Sequence, residues 1–463
     1  MSRASRLVCA LIAALLVPAA VVFARGAGRA EDPSVPQGSI EAALAQAPVG
    51  GAVTVRGVHH ERIVIRRSVI VRCEGATLDG GGRGTVITVV APDVTIDGCV
   101  VRNSGDELVF EDSGIFVAAP RARIVRNAIE DVLFGVYLKG APGSVIEDNT
   151  IRGRALELSM RGDSVKVFNS PESRVARNRI DGGRDFLIWY SDDVTIDQNV
   201  VVHGRYGLHF MNSHGDVLTR NRFVDDAIGS YVMYSDHIRL VENVFARSRT
   251  ISGFGLAIKE SNGTVALRNL FVDNSVGLYL DDSPYGDSGW GEFRGNVVAG
   301  NGVGIWLLSN VRHNRFGGNV FADNVEQVRV DGGILAGNEW APEGRGNYWS
   351  DYAGFDANGD GVGDVPNRVE KNFEQLAETH PEARILRYSP AVNALDFAAS
   401  ALPIFAPRPV LQDPAPLMHA AIPPAFVRHD RLSPAFAGIA AALMVTGALT
   451  SFAGARRRRG WRR

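Results

Sequence analysis

The sequence predicts an all-β fold: a right-handed, single-stranded parallel β-helix with coils of about 22 residues, an irregular C-terminal region and a C-terminal transmembrane helix. Three observations predict it. First, the phrase apolar-x-x-Asn-x-apolar recurs from Val100 to Trp340. Its asparagines are Asn103, Asn127, Asn149, Asn178, Asn199, Asn221, Asn243, Asn269, Asn296, Asn319 and Asn338, in steps of 24, 22, 29, 21, 22, 22, 26, 27, 23 and 19. A repeat near this length with irregular insertions is the mark of a solenoid. Second, the apolar segments between the asparagines are short and alternate with period two, as in Gly135-Val-Tyr-Leu138, Gly277-Leu-Tyr-Leu280 and Gly304-Ile-Trp-Leu307. That is strand grammar, not helix grammar. Third, the chain has 51 glycines among 463 residues, which suits an architecture with a corner every few positions.

Taken in chain order, residues 1–30 read as a secretory leader. Arg3 and Arg6 precede the apolar stretch Leu7 to Phe23, and Val22-Phe23-Ala24 offers a cleavage site. Residues 31–340 are assigned to the β-helix, with Ser39 to Ala47 as a short helix over its open end, since a solenoid must cap its exposed core. Cys9 would depart with the leader. Cys73 and Cys99 lie about one coil apart, so an exported chain offers either a disulfide or two separate buried thiols there.

Asparagine recurs because it tolerates left-handed corners and can bond to the coils above and below. Residues 341–430 form the irregular region: an Asp/Gly loop, a short helix within Pro366 to Glu382, and a Pro/Ala-rich strap from Ser389 to Phe426. Residues 431–463 hold an uncharged apolar run from Ala435 to Ala455, followed by Arg456 to Arg459. That run is long enough to span a bilayer, and its basic flank belongs on the cytoplasmic side. The expectation is a periplasmic protein anchored to the inner membrane by this helix. With a formal net charge of −2, the chain has no field to draw it to nucleic acid.

Strand alternation assigns faces. Aligned on the asparagines, an outward column runs Phe116, Tyr137, Ile188, His209, Tyr231, Ala257, Tyr279, Trp306. Its neighbour runs Ala118, Lys139, Tyr190, Met211, Met233, Lys259, Asp281, Leu308. Met211 and Met233 are one 22-residue step apart and should be stacked neighbours, with His209 two positions before the first. Two thioethers and an imidazole make a soft donor set suited to Cu(I). His214 and His237, at turns of the same coils, are candidates to complete it. The same residues also read as an apolar docking face, on which Tyr137, Tyr190, Tyr231, Tyr279 and Trp306 form an aromatic stripe for a protein or a sugar.

Other chemistry is thinner. Asp356, Asn358, Asp360 and Asp364 space oxygens like the first half of a calcium loop, although Asn367 stands where the twelfth ligand would be a glutamate. His59 and His60 are adjacent and face opposite ways. Asp281 and Asp282 with Lys259 come nearest to the acid–base cluster a carbohydrate lyase or epimerase would need; no catalytic residue is assigned.

Three stretches in this order carry a resemblance: Arg205-Tyr-Gly-Leu-His-Phe-Met-Asn-Ser213, Gly229-Ser-Tyr-Val-Met-Tyr-Ser235, and Asn347-Tyr-Trp-Ser-Asp-Tyr-Ala-Gly-Phe-Asp356. Ser389-Pro-Ala391 and Asp413-Pro-Ala-Pro-Leu417 extend it. The chain resembles the NosD family of nitrous oxide reductase maturation proteins from about Ser39 to Met418. The resemblance implies a non-catalytic periplasmic accessory protein. Its relatives sit on an ABC transporter with a membrane subunit and an ATPase, take Cu(I) transiently from a copper chaperone lipoprotein, and help assemble the reductase's copper–sulfide cluster. His209, Met211 and Met233 fall inside the matching stretches. The C-terminal anchor is untypical of that family.

Overall fold

In the computed structural model, residues 39–426 are described, apart from 287–288, 332–334, 336, 370–381, 383–385, 387–388 and 390–408. Each coil contributes one short strand to each of three parallel sheets, of 12, 13 and 12 strands, about 12 right-handed turns in all. The first sheet runs from Ala52–Val55 to Asn314–Gly317, the second from Val58–His59 to Tyr348–Trp349, the third from Ile63–Ile65 to Glu326–Asp331.

The core is built from side-chain columns that the parallel register sets in line. In the first sheet Ile96, Ile124, Ile146, Val175 and Ile196 are successive partners, all fully buried. In the second sheet Phe223, Phe245 and Phe271 stack with ring centres 5.2 and 5.0 Å apart. In these columns each apolar residue meets another from the next coil, so the apolar area of each rung is buried by its neighbours.

Corners are held by side-chain ladders. In the main one, each asparagine Oδ1 accepts the backbone N–H and the Nδ2–H of the asparagine one coil earlier, from Asn127 through Asn149, Asn178, Asn199 and Asn221 to Asn243. The ladder then continues through Asn269, Asn296 and Asn319 to Asn347. A serine ladder, Ser170, Ser191, Ser213, Ser235, Ser261 and Ser283, follows the third sheet.

Two expected rungs are corrected. Asn103 is outside the main ladder; it holds a left-handed corner with φ 58° and donates to Asp79, while the ladder starts at the Cys99 N–H. Asn338 bonds Asn314 on a separate corner, and Asn347 takes its expected place. Both look like rungs because the local phrase around a corner asparagine is the same.

The helix Ile40–Gln46 closes the N-terminal end, burying Ile40 and Leu44, with Glu61 accepting from the Ile40 N–H at 2.9 Å. Cys73 and Cys99, on adjacent coils, are joined as a disulfide with Cα atoms 4.8 Å apart. At the other end, strands Asn367–Val369 and Leu411–Asp413 pair antiparallel, and the buried Asp413 carboxylate takes the place of the next asparagine. Thus Asn367–Val369 is extended within the stretch expected to be partly helical. Among the described residues no helix is long and apolar enough to cross a membrane. The expected leader, 1–30, and apolar span, 435–455, lie outside the described residues.

Candidate functional site

The outer face of the third sheet carries the candidate residues. Strands Tyr206–Met211 and Ile228–Met233 pair in parallel with Met211 opposite Met233 and His209 opposite Tyr231. Phe210 and Val232, between them in sequence, point into the core and are fully buried. Neighbouring strands lie about 4.8 Å apart, so the two half-buried thioether side chains rise from adjacent rungs.

Part of the expected column is corrected. The register shifts between Asp185 and Leu187, so Leu187 opposes His209 and Trp189 opposes Met211. Ile188 is therefore inside and fully buried. Tyr190 sits on the following corner with φ 48°, still 52% exposed. The 21-residue step from Asn178 to Asn199 hid this bulge, because one extra residue on the Tyr206–Met211 strand moves every later side chain by one position.

His209 is on the outer face yet only 8% exposed, beneath Tyr206 at 4.7 Å and Tyr231 at 6.3 Å. Neither ring nitrogen has a hydrogen-bond partner. With Nδ1 facing the Asp185 carboxylate, Nε2 is the ring nitrogen left buried without a polar partner, the arrangement a ligand would relieve. Its Nδ1 stands 3.9 Å from Asp185 Oδ2, and Asp185 also accepts from Arg205 Nε at 2.9 Å in a bidentate pair. Burial works against ionising Asp185, but His209 and Arg205 outweigh it and hold the carboxyl below its usual range. One coil earlier, Arg184 pairs with Asp163 at 3.0 Å; burial there dominates and pushes Asp163 up to about 6. Asp185 and Arg205 were not visible as site residues in the sequence, although their 20-residue separation is close to one coil.

The remaining expected residues separate. Tyr137 is buried, under Lys166 at 4.7 Å and against Phe116 at 5.2 Å, with Lys166 paired to Glu111 from the insertion after Asn103. It is therefore removed from the exposed stripe. Tyr231 and Tyr279, each pushed up to about 12 chiefly by burial, stay on the face. Tyr279 stacks on Phe254 at 4.6 Å and meets Trp306 at 5.4 Å, and Trp306 lies under the Arg329 guanidinium.

His214 and His237 occupy corners of successive coils but are not opposite one another. His214 Nδ1 accepts from the Asp236 N–H at 3.0 Å, while the His237 ring packs against Gly263.

The Asp/Gly loop spends its oxygens on itself. Asp356 accepts from the backbone N–H groups of Gly359 and Gly361 at 2.7 and 2.8 Å, Asp360 from Val362 at 2.8 Å, and Asp364 from Ala357 at 2.6 Å. In this structure the residues expected to form a calcium loop build a self-bonded turn. Among the described residues, no group of three or more His, Cys, Asp or Glu is placed to hold a metal ion. Lys259 and Asp281 continue the methionine column, 4.0 Å apart, with burial raising the Asp281 carboxyl.

A family model described as "Periplasmic copper-binding protein (NosD)" matches residues 151–354, the coils that contain all three soft donors. A "Probable ABC transporter binding protein NosD" from Pseudomonas aeruginosa is 32% identical over 397 residues, covering 78% of this chain and 86% of that one. A protein of the same description from Stutzerimonas stutzeri is 30% identical over 395 residues, covering 78% and 85%. Among solved structures, the mannuronan C-5 epimerase AlgE6 A-module of Azotobacter vinelandii aligns with a TM-score of 0.48 at 12% identity, over 65% of this chain and 92% of that one.

Proposed function

The chain belongs to the NosD family of periplasmic copper-binding proteins, and from that premise we propose that it is a non-catalytic periplasmic carrier that passes Cu(I) as cargo across Met211, Met233 and His209 while docked on an ABC transporter. The observation that carries this reading is the register: the two thioethers rise side by side from adjacent strands, one of which also bears a buried imidazole.

The donor set fits the cargo. Thioether sulfur is soft and neutral, and prefers Cu(I) to hard divalent ions. Half-exposed methionines let the ion enter from outside, and few fixed ligands let it leave again. Asp185 is placed to accept the Nδ1–H of His209, which would leave Nε2 as the donor and fix the ring's orientation. Arg205 holds Asp185 for that task. What remains of the ion's coordination is left for a partner to complete.

In the proposed pathway a copper chaperone lipoprotein delivers the ion, the transporter's membrane subunit and ATPase organise the assembly, and nitrous oxide reductase receives the metal. The half-buried Tyr231, Tyr279 and Trp306, with the exposed Tyr190 on an adjoining corner, are the proposed docking face. The test is the copper content of reductase matured in cells carrying the Met211→Ala/Met233→Ala chain. Copper-poor reductase is expected; reductase loaded as with the unaltered chain contradicts the reading.

A further inference from the structure

We propose that the indole of Trp189 is a further contact of the methionine site, presenting its π system to the bound monovalent ion and selecting it over divalent ions. This rests on the copper-carrier reading and deepens it.

The register places Trp189 directly opposite Met211, so the outer column reads Phe168, Trp189, Met211, Met233, Lys259. The methionine pair therefore has an aromatic wall on one side and a lysine on the other. The wall is held in place: Phe168 meets the indole edge-on at 5.1 Å, and Tyr190 stacks along it at 5.6 Å and 22°. No polar contact does this, because Trp189 Nε1 is buried without an acceptor. An indole fixed by rings alone beside the first of the two thioethers offers its π electrons as the recognisable chemistry.

A tryptophan face is the strongest aromatic partner for a cation. Its attraction competes best with water when the ion is weakly hydrated, as a soft monovalent ion is. A divalent ion would have to exchange tightly held water for neutral donors, and would meet the Lys259 ammonium on the far side of the pair. Lys259 is only loosely compensated, 4.0 Å from Asp281 and 3.8 Å from Glu260. A π contact also adds affinity without adding a ligand that must be broken before transfer.

The experiment titrates the full chain anaerobically with Cu(I), and separately with redox-inert Ag(I), against a chelating competitor. Indole absorption, tryptophan fluorescence and resonance Raman bands are followed in the wild type, Trp189→Phe and Trp290→Phe. The expected result is an indole perturbation saturating at one ion per chain in the wild type and in Trp290→Phe. In Trp189→Phe the perturbation is lost and affinity falls about tenfold. The proposal is overturned if the wild type binds the ion at the methionines with no indole change, or if Trp189→Phe keeps both signal and affinity. Absence of ion binding in the wild type would overturn the carrier reading as well, so the two failures are distinguishable.

Discussion

The Asp413 carboxylate accepts the backbone N–H of Asn347 at 2.7 Å and its Nδ2–H at 3.2 Å, so the asparagine ladder ends on an acid brought back from 66 residues further along the chain. The same oxygen accepts from Trp349 Nε1 at 3.0 Å, and the other from the Ala415 N–H. The Leu411–Asp413 strand of the strap is thus part of the solenoid's end wall.

Asp413→Ala removes that acceptor and leaves the Asn347 and Trp349 donors buried and unpaired. Each such group costs about 1–3 kcal/mol. A lower denaturant midpoint is expected, with hydrogen exchange accelerated first around Asn347 to Trp349. Uniform exchange along the solenoid would contradict this end-wall role.

Asn221 is a middle rung: it donates to Asn243 and to the Ile196 carbonyl and accepts two bonds from Asn199. Asn221→Ala breaks all of these in a dry interior, and a loss of roughly 2–5 kcal/mol is expected by chemical denaturation. A loss below about 1 kcal/mol would show that the ladder follows from the fold and does little to hold it.

Asp226 occupies a corner where later coils use Asn274 and Asn301; it accepts from the Gly204 N–H at 2.7 Å, but its second oxygen is buried with no partner. Burial, the largest cause, raises its pKa well above the ordinary carboxylate value, and burial pushes Asp216 up to about 8. The folded state therefore prefers these acids protonated. Their contribution is fully present below the unfolded pKa near 4 and declines as pH rises from there through the folded value. Asp226→Asn keeps the accepting oxygen and removes the ionisable group. A higher melting temperature is expected, with a larger gain at pH 8 than at pH 4; an equal gain at both would contradict the burial argument.

Asp185→Asn keeps the size of the group that faces His209 but weakens its pull on the Nδ1 proton. Outer-shell changes of this kind cost about 10–100-fold in metal affinity. Cu(I) binding is expected to weaken by that factor with both methionines intact. Unchanged affinity would mean that the ion does not use His209.

Much of this was legible in the sequence, for identifiable reasons. Met211 and Met233 fell into register because no insertion separates them from their shared asparagine rungs, Asn221 and Asn243. Trp189 was missed because the bulge between Asp185 and Leu187 leaves no mark in the asparagine spacing. The burial of Tyr137 was hidden because its cover, Lys166 with Glu111, comes from segments 55 residues apart. The role of Asp413 leaves no local signal, since nothing around it says that an acid will end a ladder of amides.

In the proposed function the two adjacent thioethers, Met211 and Met233, bind the cargo. Anaerobic Cu(I) titration of the chain against a chelating competitor, wild type beside Met211→Ala/Met233→Ala, tests it most directly. One bound ion per wild-type chain, lost in a double variant that retains its β-sheet circular dichroism, is the predicted result. Equal stoichiometry and affinity in the two proteins would contradict it.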